Sequence, residues 1–155
     1  MKAKRHGKAT ATGIAFWDTS AIVPLCFFQR QSAQASQTLR SYRKQITWWA
    51  TAVEAVSALN RLHREEVMSG EARQQALARL NTLRNLWDEI QPSTDLRDTA
   101  ERLLGVHKLR ASDALQLSAA LVWCRHRPRA RTFIVADENL AIAADAEGFT
   151  VIRLF

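Results

Sequence analysis

Four carboxylates stand apart from the other acids of this chain. Asp18 and Glu54 are the only acids in its first 64 residues, and Asp113 is alone between Glu101 and Asp137. Asp18 ends the apolar run Ile14-Ala15-Phe16-Trp17, and Asp137 ends Phe133-Ile134-Val135-Ala136. Glu54 and Asp113 fall in the opening turns of predicted helices, at Thr51-Ala52-Val53-Glu54 and Ser112-Asp113-Ala114. In an open parallel sheet, strand carboxyl ends and the helix N-termini that follow share one edge, so the four are expected in one cleft. Converging carboxylates repel each other unless cations neutralise them, and hard oxygen donors without a His or Cys cluster select Mg²⁺ or Mn²⁺. The chemistry of such a site is metal-assisted phosphodiester hydrolysis, with a bound water acidified into the nucleophile.

Each acid also has a purely structural role open to it. Thr51-x-x-Glu54 matches a capping box, Asp113 would complement a helix N-terminus, and Asp137 would cap the helix it precedes. Asp18 is hardest to explain in this way, because Thr19 and Ser20 already offer caps. Chance convergence of all four on one edge is the weaker explanation. Arg110, close to Asp113, is a candidate phosphate ligand or a solvated helix-start cation. His63 and His107 lack metal spacing and a paired nucleophile. Trp48 and Trp49 would stack on bases or, in a strand, fill the core. Ala33, Ala35, Leu39 and Tyr42 offer either a partner face or packing against the sheet.

Alternating strands and helices must position these residues. Strands are expected at Ile14–Trp17, Ile46–Trp49, briefly from Ile90 to Pro92, at Thr132–Ala136 and at Phe149–Ile152. Helices are expected over Ala21–Phe28, with Pro24 tolerated only in a first turn, and over Ser32–Tyr42. Further helices open at Thr51 and, capped by Ser69, carry the stripe Ala72, Ala76, Leu80, Leu83 and Trp87. Thr94–Leu104 stops at Gly105, Ser112 opens a helix to about Cys124, and Glu138–Glu147 stops at Gly148. Arg125–Arg131 forms a basic connector containing Pro128. The pattern is α/β: one domain over residues 13–155 with a mostly parallel sheet covered by helices. Residues 1–12, with Lys2, Lys4, Arg5 and Lys8 and no hydrophobic period, are expected to be a flexible basic arm.

The 155 residues, 47% hydrophobic and 24% charged, suffice for a core without disulfides or structural metal. No apolar run approaches the ~18 residues of a membrane span. Asp18 and Pro24 interrupt the first apolar stretch, so a cytoplasmic location is expected rather than secretion. Cys26 and Cys124 are expected to be reduced core thiols. The net charge of +7 favours a polyanionic partner such as RNA, though much of it lies in the arm.

The ordered set Phe16-Trp17-Asp18-Thr19-Ser20-Ala21, Val53-Glu54-Ala55-Val56-Ser57-Ala58-Leu59, Leu109-Arg110-Ala111-Ser112-Asp113-Ala114-Leu115-Gln116-Leu117 and Phe133-Ile134-Val135-Ala136-Asp137 resembles the PIN-domain nucleases. It is most similar to the VapC-type toxins of toxin–antitoxin systems. The closing Ala144-x-x-x-Gly148-Phe149-x-Val151-Ile152 extends the resemblance over nearly all of Ile14 to Leu154. It implies a three-layer α/β/α fold, Mg²⁺- or Mn²⁺-dependent cleavage of RNA, homodimers, and a cognate antitoxin that blocks the acidic pocket. The family's catalytic and metal-binding acids map onto Asp18, Glu54, Asp113 and Asp137. Ser20 maps onto the hydroxyl that supports the first aspartate, and Asn139 is placed to share the task of Asp137. The alternatives are a PIN-like module that binds RNA or protein without cutting, and a housekeeping RNA-processing nuclease with no antitoxin. A receiver-type phosphotransfer domain ranks third, because Asp18-Thr19-Ser20 lacks a second aspartate.

Overall fold

The strand Ile14–Trp17 (β1) lies at the middle of a sheet whose five strands are all parallel. The computed structural model describes residues 13–155, so the arm expected over residues 1–12 lies outside the described residues. The other strands are Lys44–Trp48 (β2), Trp87–Ile90 (β3), Thr132–Val135 (β4) and Thr150–Arg153 (β5), in the order β3-β2-β1-β4-β5. Among the described residues, seven helices connect them: Thr19–Cys26 (α1), Ser32–Ser41 (α2), Thr51–Arg64 (α3), Gly70–Arg84 (α4), Thr94–Val106 (α5), Ala111–Trp123 (α6) and Glu138–Glu147 (α7). Parallel neighbours require crossovers, and helices supply every one of them.

Strand periodicity divides the core in two. Phe16, Ile46, Trp48, Phe133 and Val135 face Leu96 and Leu103 of α5, Leu117 and Leu121 of α6, and Leu140 of α7. The intervening residues Ala15, Trp17 and Ile134 face Ile22 of α1, Ala35 of α2, Leu59 of α3 and Leu80 of α4. Phe16 stacks on Phe133 at 5.3 Å, and Phe133 meets Phe149 at 5.5 Å. The result is the expected three-layer α/β/α architecture. Cys26 and Cys124 are buried, unpaired thiols. No helix among the described residues is long and apolar enough to cross a membrane.

Several boundaries differ from those the sequence suggests. The first helix ends at Cys26, not Phe28, and Pro24 sits in its second turn, not its first. Proline lacks the N–H that would donate one turn back, and its own carbonyl, near the helix end, accepts from Ser32 Oγ at 2.7 Å. The second strand begins at Lys44 and releases Trp49 into the following turn. Trp87 belongs to β3 rather than to the helical stripe, and β3 begins there instead of at Ile90. As an edge strand pairing only with β2, β3 shows no clear apolar alternation, which hides it in the sequence. Gly105 lies inside α5, which runs on to Val106. The last strand is Thr150–Arg153, one residue later than expected. Gly148 does stop α7, at φ 106° in the left-handed region.

Candidate active site

The carboxyl edge of the sheet carries a cleft of about 660 Å³ lined by Asp18, Glu54, Asp113 and Asp137. The topology delivers each from a different element. Asp18 follows β1 and sits beside β4, its N–H donating to the Ile134 carbonyl at 3.0 Å. Glu54 comes from the first turn of α3, Asp113 from the first turn of α6, and Asp137 from the N-cap of α7. Ser20, Ser57, Ser112 and Arg61 complete much of the polar wall.

Asp18 is 5% exposed and caps α1 itself, a role the sequence assigns to Thr19 or Ser20. Its Oδ2 accepts from the Ser20 N–H at 2.9 Å and from the Ser20 hydroxyl. The same hydroxyl oxygen accepts from the Ala136 N–H at 2.9 Å, so Ser20 ties the end of β4 to Asp18. Burial is the main force raising the Asp18 pKa to about 7; the Ser20 bonds oppose it, while Glu54 and Asp113 add repulsion.

Glu54 forms no capping box. Ala50 occupies the N-cap position with no side-chain bond, and Thr51 is the first helical residue. Glu54 Oε2 instead accepts from Thr19 Oγ1 at 2.8 Å and from Gln116 Nε2 at 3.0 Å. Gln116 also reaches Thr19 Oγ1 at 2.8 Å and Thr51 Oγ1 at 3.1 Å. Burial raises the Glu54 pKa, Gln116 and Thr19 oppose this, and Asp113 adds repulsion. Asp113 is raised by burial first and then by Asp137, against the opposing influence of Arg110. Asp137 accepts from the Leu140 N–H at 2.8 Å, so it caps α7 as well as facing the cleft. A second groove of about 370 Å³ shares Ser112, Asp113 and Asp137 with the cleft and adds Lys108, Leu109, Arg110 and Asn139. Arg110 and Asn139 therefore stand beside Asp113 and Asp137, away from Asp18 and Glu54.

Side-chain hydrogen bonds engage Oδ2 of Asp18 and Oε2 of Glu54, leaving the other oxygen of each without a protein donor among the described residues. Hard oxygen donors in this state suit a divalent cation, which would also relieve the mutual repulsion. No group of three or more His, Cys, Asp or Glu side chains among the described residues would hold an ion unaided. That arrangement still fits Mg²⁺, which keeps several waters and is held by one or two carboxylates.

Reasoning from the sequence missed Gln116 and Thr19. The signal for Gln116 was present: it follows Asp113 by three residues, which on a helix places both on one face. Trp48 is buried at 5% exposure, as expected, but Trp49 is 51% exposed in the turn before α3. His63 Nδ1 donates to the Met68 carbonyl, 2.9 Å away, and His107 pairs with Glu147 at 2.7 Å. Neither reaches the cleft.

No family model and no curated protein matches this chain. Among solved structures, a chain described as "Toxin-antitoxin complex from Klebsiella pneumoniae" is similar in fold, with a TM-score of 0.57 at 20% identity. The match covers 91% of this chain and 98% of the other.

Proposed function

We propose that this chain is a Mg²⁺- or Mn²⁺-dependent endoribonuclease of the PIN/VapC type, acting as the toxin of a toxin–antitoxin pair. One observation carries the nuclease assignment. Four acids that are sparse in the sequence line a single cleft, where burial and mutual repulsion raise the pKa values of Asp18, Glu54 and Asp113. The toxin assignment is supported by the shared fold with a chain from a toxin–antitoxin complex.

In this scheme Asp18 and Asp113 would hold the cation directly, with Glu54 and Asp137 acting through the waters it keeps. A divalent cation bound there supplies Lewis acidity and a water acidified toward hydroxide. Ser20 and Gln116 hold Asp18 and Glu54 through one oxygen each, which leaves the other oxygen of each available to a cation. Arg110 and Lys108, in the adjoining groove, take the phosphates that flank the scissile bond. The partners are RNA, a cognate antitoxin and a second copy of the chain.

The purified full chain should cleave RNA with Mg²⁺ or Mn²⁺ and stop in excess chelator. Asp18→Ala and Asp113→Ala should each reduce the rate by at least about 10³-fold, because each removes a direct ligand of the catalytic cation. Cleavage that survives both substitutions overturns the proposal. RNA binding without turnover favours a non-cutting module. In cells, expression should arrest growth, and Asp18→Ala or co-expression of the antitoxin should relieve the arrest.

A further inference from the structure

The segment between α6 and β4 contains Arg125, Arg127, Arg129 and Arg131, and all four are exposed. Their charge sets the sign of the domain. Residues 13–155 hold 18 Lys and Arg against 15 Asp and Glu, a surplus of three; without these four arginines the domain would be negative by one. None of the four pairs with a carboxylate among the described residues, and residues 1–12 contain no acid. Among the described residues, the one carboxylate bonded to the segment is Asp95, which holds exposed His126 at 3.0 and 3.1 Å. Charges that serve only solubility are interspersed in sign, whereas no acid occurs between Asp113 and Asp137.

The segment is also held in shape. Arg125, His126 and Ala130 adopt φ of 53°, 57° and 61°, a left-handed conformation that non-glycine residues keep only where their surroundings enforce it. The His126 N–H donates to the Leu121 carbonyl at 2.7 Å, that of Arg127 to Cys124 at 3.0 Å, and that of Arg131 to Pro128 at 2.9 Å. The Arg131 guanidinium lies over the Trp123 ring at 5.6 Å. Ten residues of α6 follow Asp113 before this loop, roughly 15 Å along the helix axis.

We infer that the Arg125–Arg131 loop is a second RNA-binding surface that grips phosphates at the end of α6 remote from the acidic cleft. The nuclease proposal is needed only to identify the polyanion as RNA. Unpaired guanidiniums on a fixed loop suit the repeating charge of a phosphate backbone, and an RNA long enough to reach both ends of α6 gains affinity without altering the chemistry.

The experiment measures binding of a long single-stranded RNA to the full chain in chelator, across a salt series, for wild type, R125A/R127A/R129A and R125K/R127K/R129K. Arg131 is left in place to keep its contact with Trp123. Each lost phosphate contact lowers the salt slope by about 0.7, so the triple Ala variant should lower it by about 2. Between about 50 and about 200 mM salt, the wild type should then lose about 20-fold more affinity than that variant. The triple Lys variant should keep the wild-type slope. With Mg²⁺ present, the Ala variant should raise KM for long RNA while kcat, and cleavage of oligonucleotides too short to span α6, stay unchanged. An unchanged slope in a folded Ala variant overturns the inference. So does a loss confined to acidic polypeptides such as polyglutamate, which would make the loop a protein-docking surface. Because binding is read in chelator, a protein that grips RNA through this loop yet never cuts would sink the nuclease proposal alone.

Discussion

Asp18 shows how one side chain can serve structure and chemistry together. It caps α1 through Oδ2, yet burial and the neighbouring acids raise its pKa to about 7. An unfolded aspartate ionises near pH 4, so the folded chain retains this proton over a range where the unfolded chain loses it. The resulting stability is complete below about pH 4 and lost as the pH rises to about 7, on the order of 4 kcal/mol in all. Asp18→Asn keeps an acceptor for Ser20 and removes the charge. In metal-free buffer it should therefore raise Tm above about pH 7 and flatten the decline of stability between about pH 4 and about pH 7, while in Mg²⁺ it abolishes cleavage. Thermal melts across pH check this; a variant less stable than wild type above pH 7 would show that the charge is not the burden. Mg²⁺ should raise the wild-type Tm more near pH 8 than near pH 5, because only the ionised cleft binds it.

At the level of elements, α6 does the most to organise the cleft. Its first turn presents Asp113, and one turn on Gln116 bonds to Thr19 of α1 and to Thr51 and Glu54 of α3. Gln116 thereby joins the helices on the two sides of the sheet at the edge where the acids meet. Gln116→Leu preserves bulk but leaves Glu54 with only Thr19 as a side-chain donor. Loss of such an orienting partner costs about 10–100-fold in activity or metal affinity. The expected outcome is a reduced kcat and a higher Mg²⁺ requirement with a normally folded protein, read by metal titration of the cleavage rate. An unchanged metal dependence would reduce Gln116 to a packing residue.

Across the whole molecule, two cores share one sheet and face opposite ways. Ile22 belongs to one and Ile46 to the other. Ile22→Val and Ile46→Val should each cost about 0.5–1.5 kcal/mol and add within about 0.5 kcal/mol in the double variant, as denaturant titration would show. Marked coupling would mean that the sheet transmits strain between its faces. Charge is likewise divided, with acids gathered at the carboxyl edge and arginines at the far end of α6. The sequence by itself determined the alternation of strands and helices, the parallel sheet, and the four acids as a group, because strand and helix periods and strand-end carboxylates are local signals. It located α7's stop at Gly148, where a left-handed residue is needed, but misplaced Trp87, whose edge strand has only one neighbour. Only the tertiary structure decided that Asp18 is the cap of α1, that Glu54 bonds to Thr19 and Gln116 instead of closing a capping box, and that Trp49 leaves the sheet. Those outcomes depend on contacts between residues far apart in the chain. Gln116 lies 97 residues from Thr19, and no local pattern encodes which of several satisfied arrangements a buried carboxylate will take.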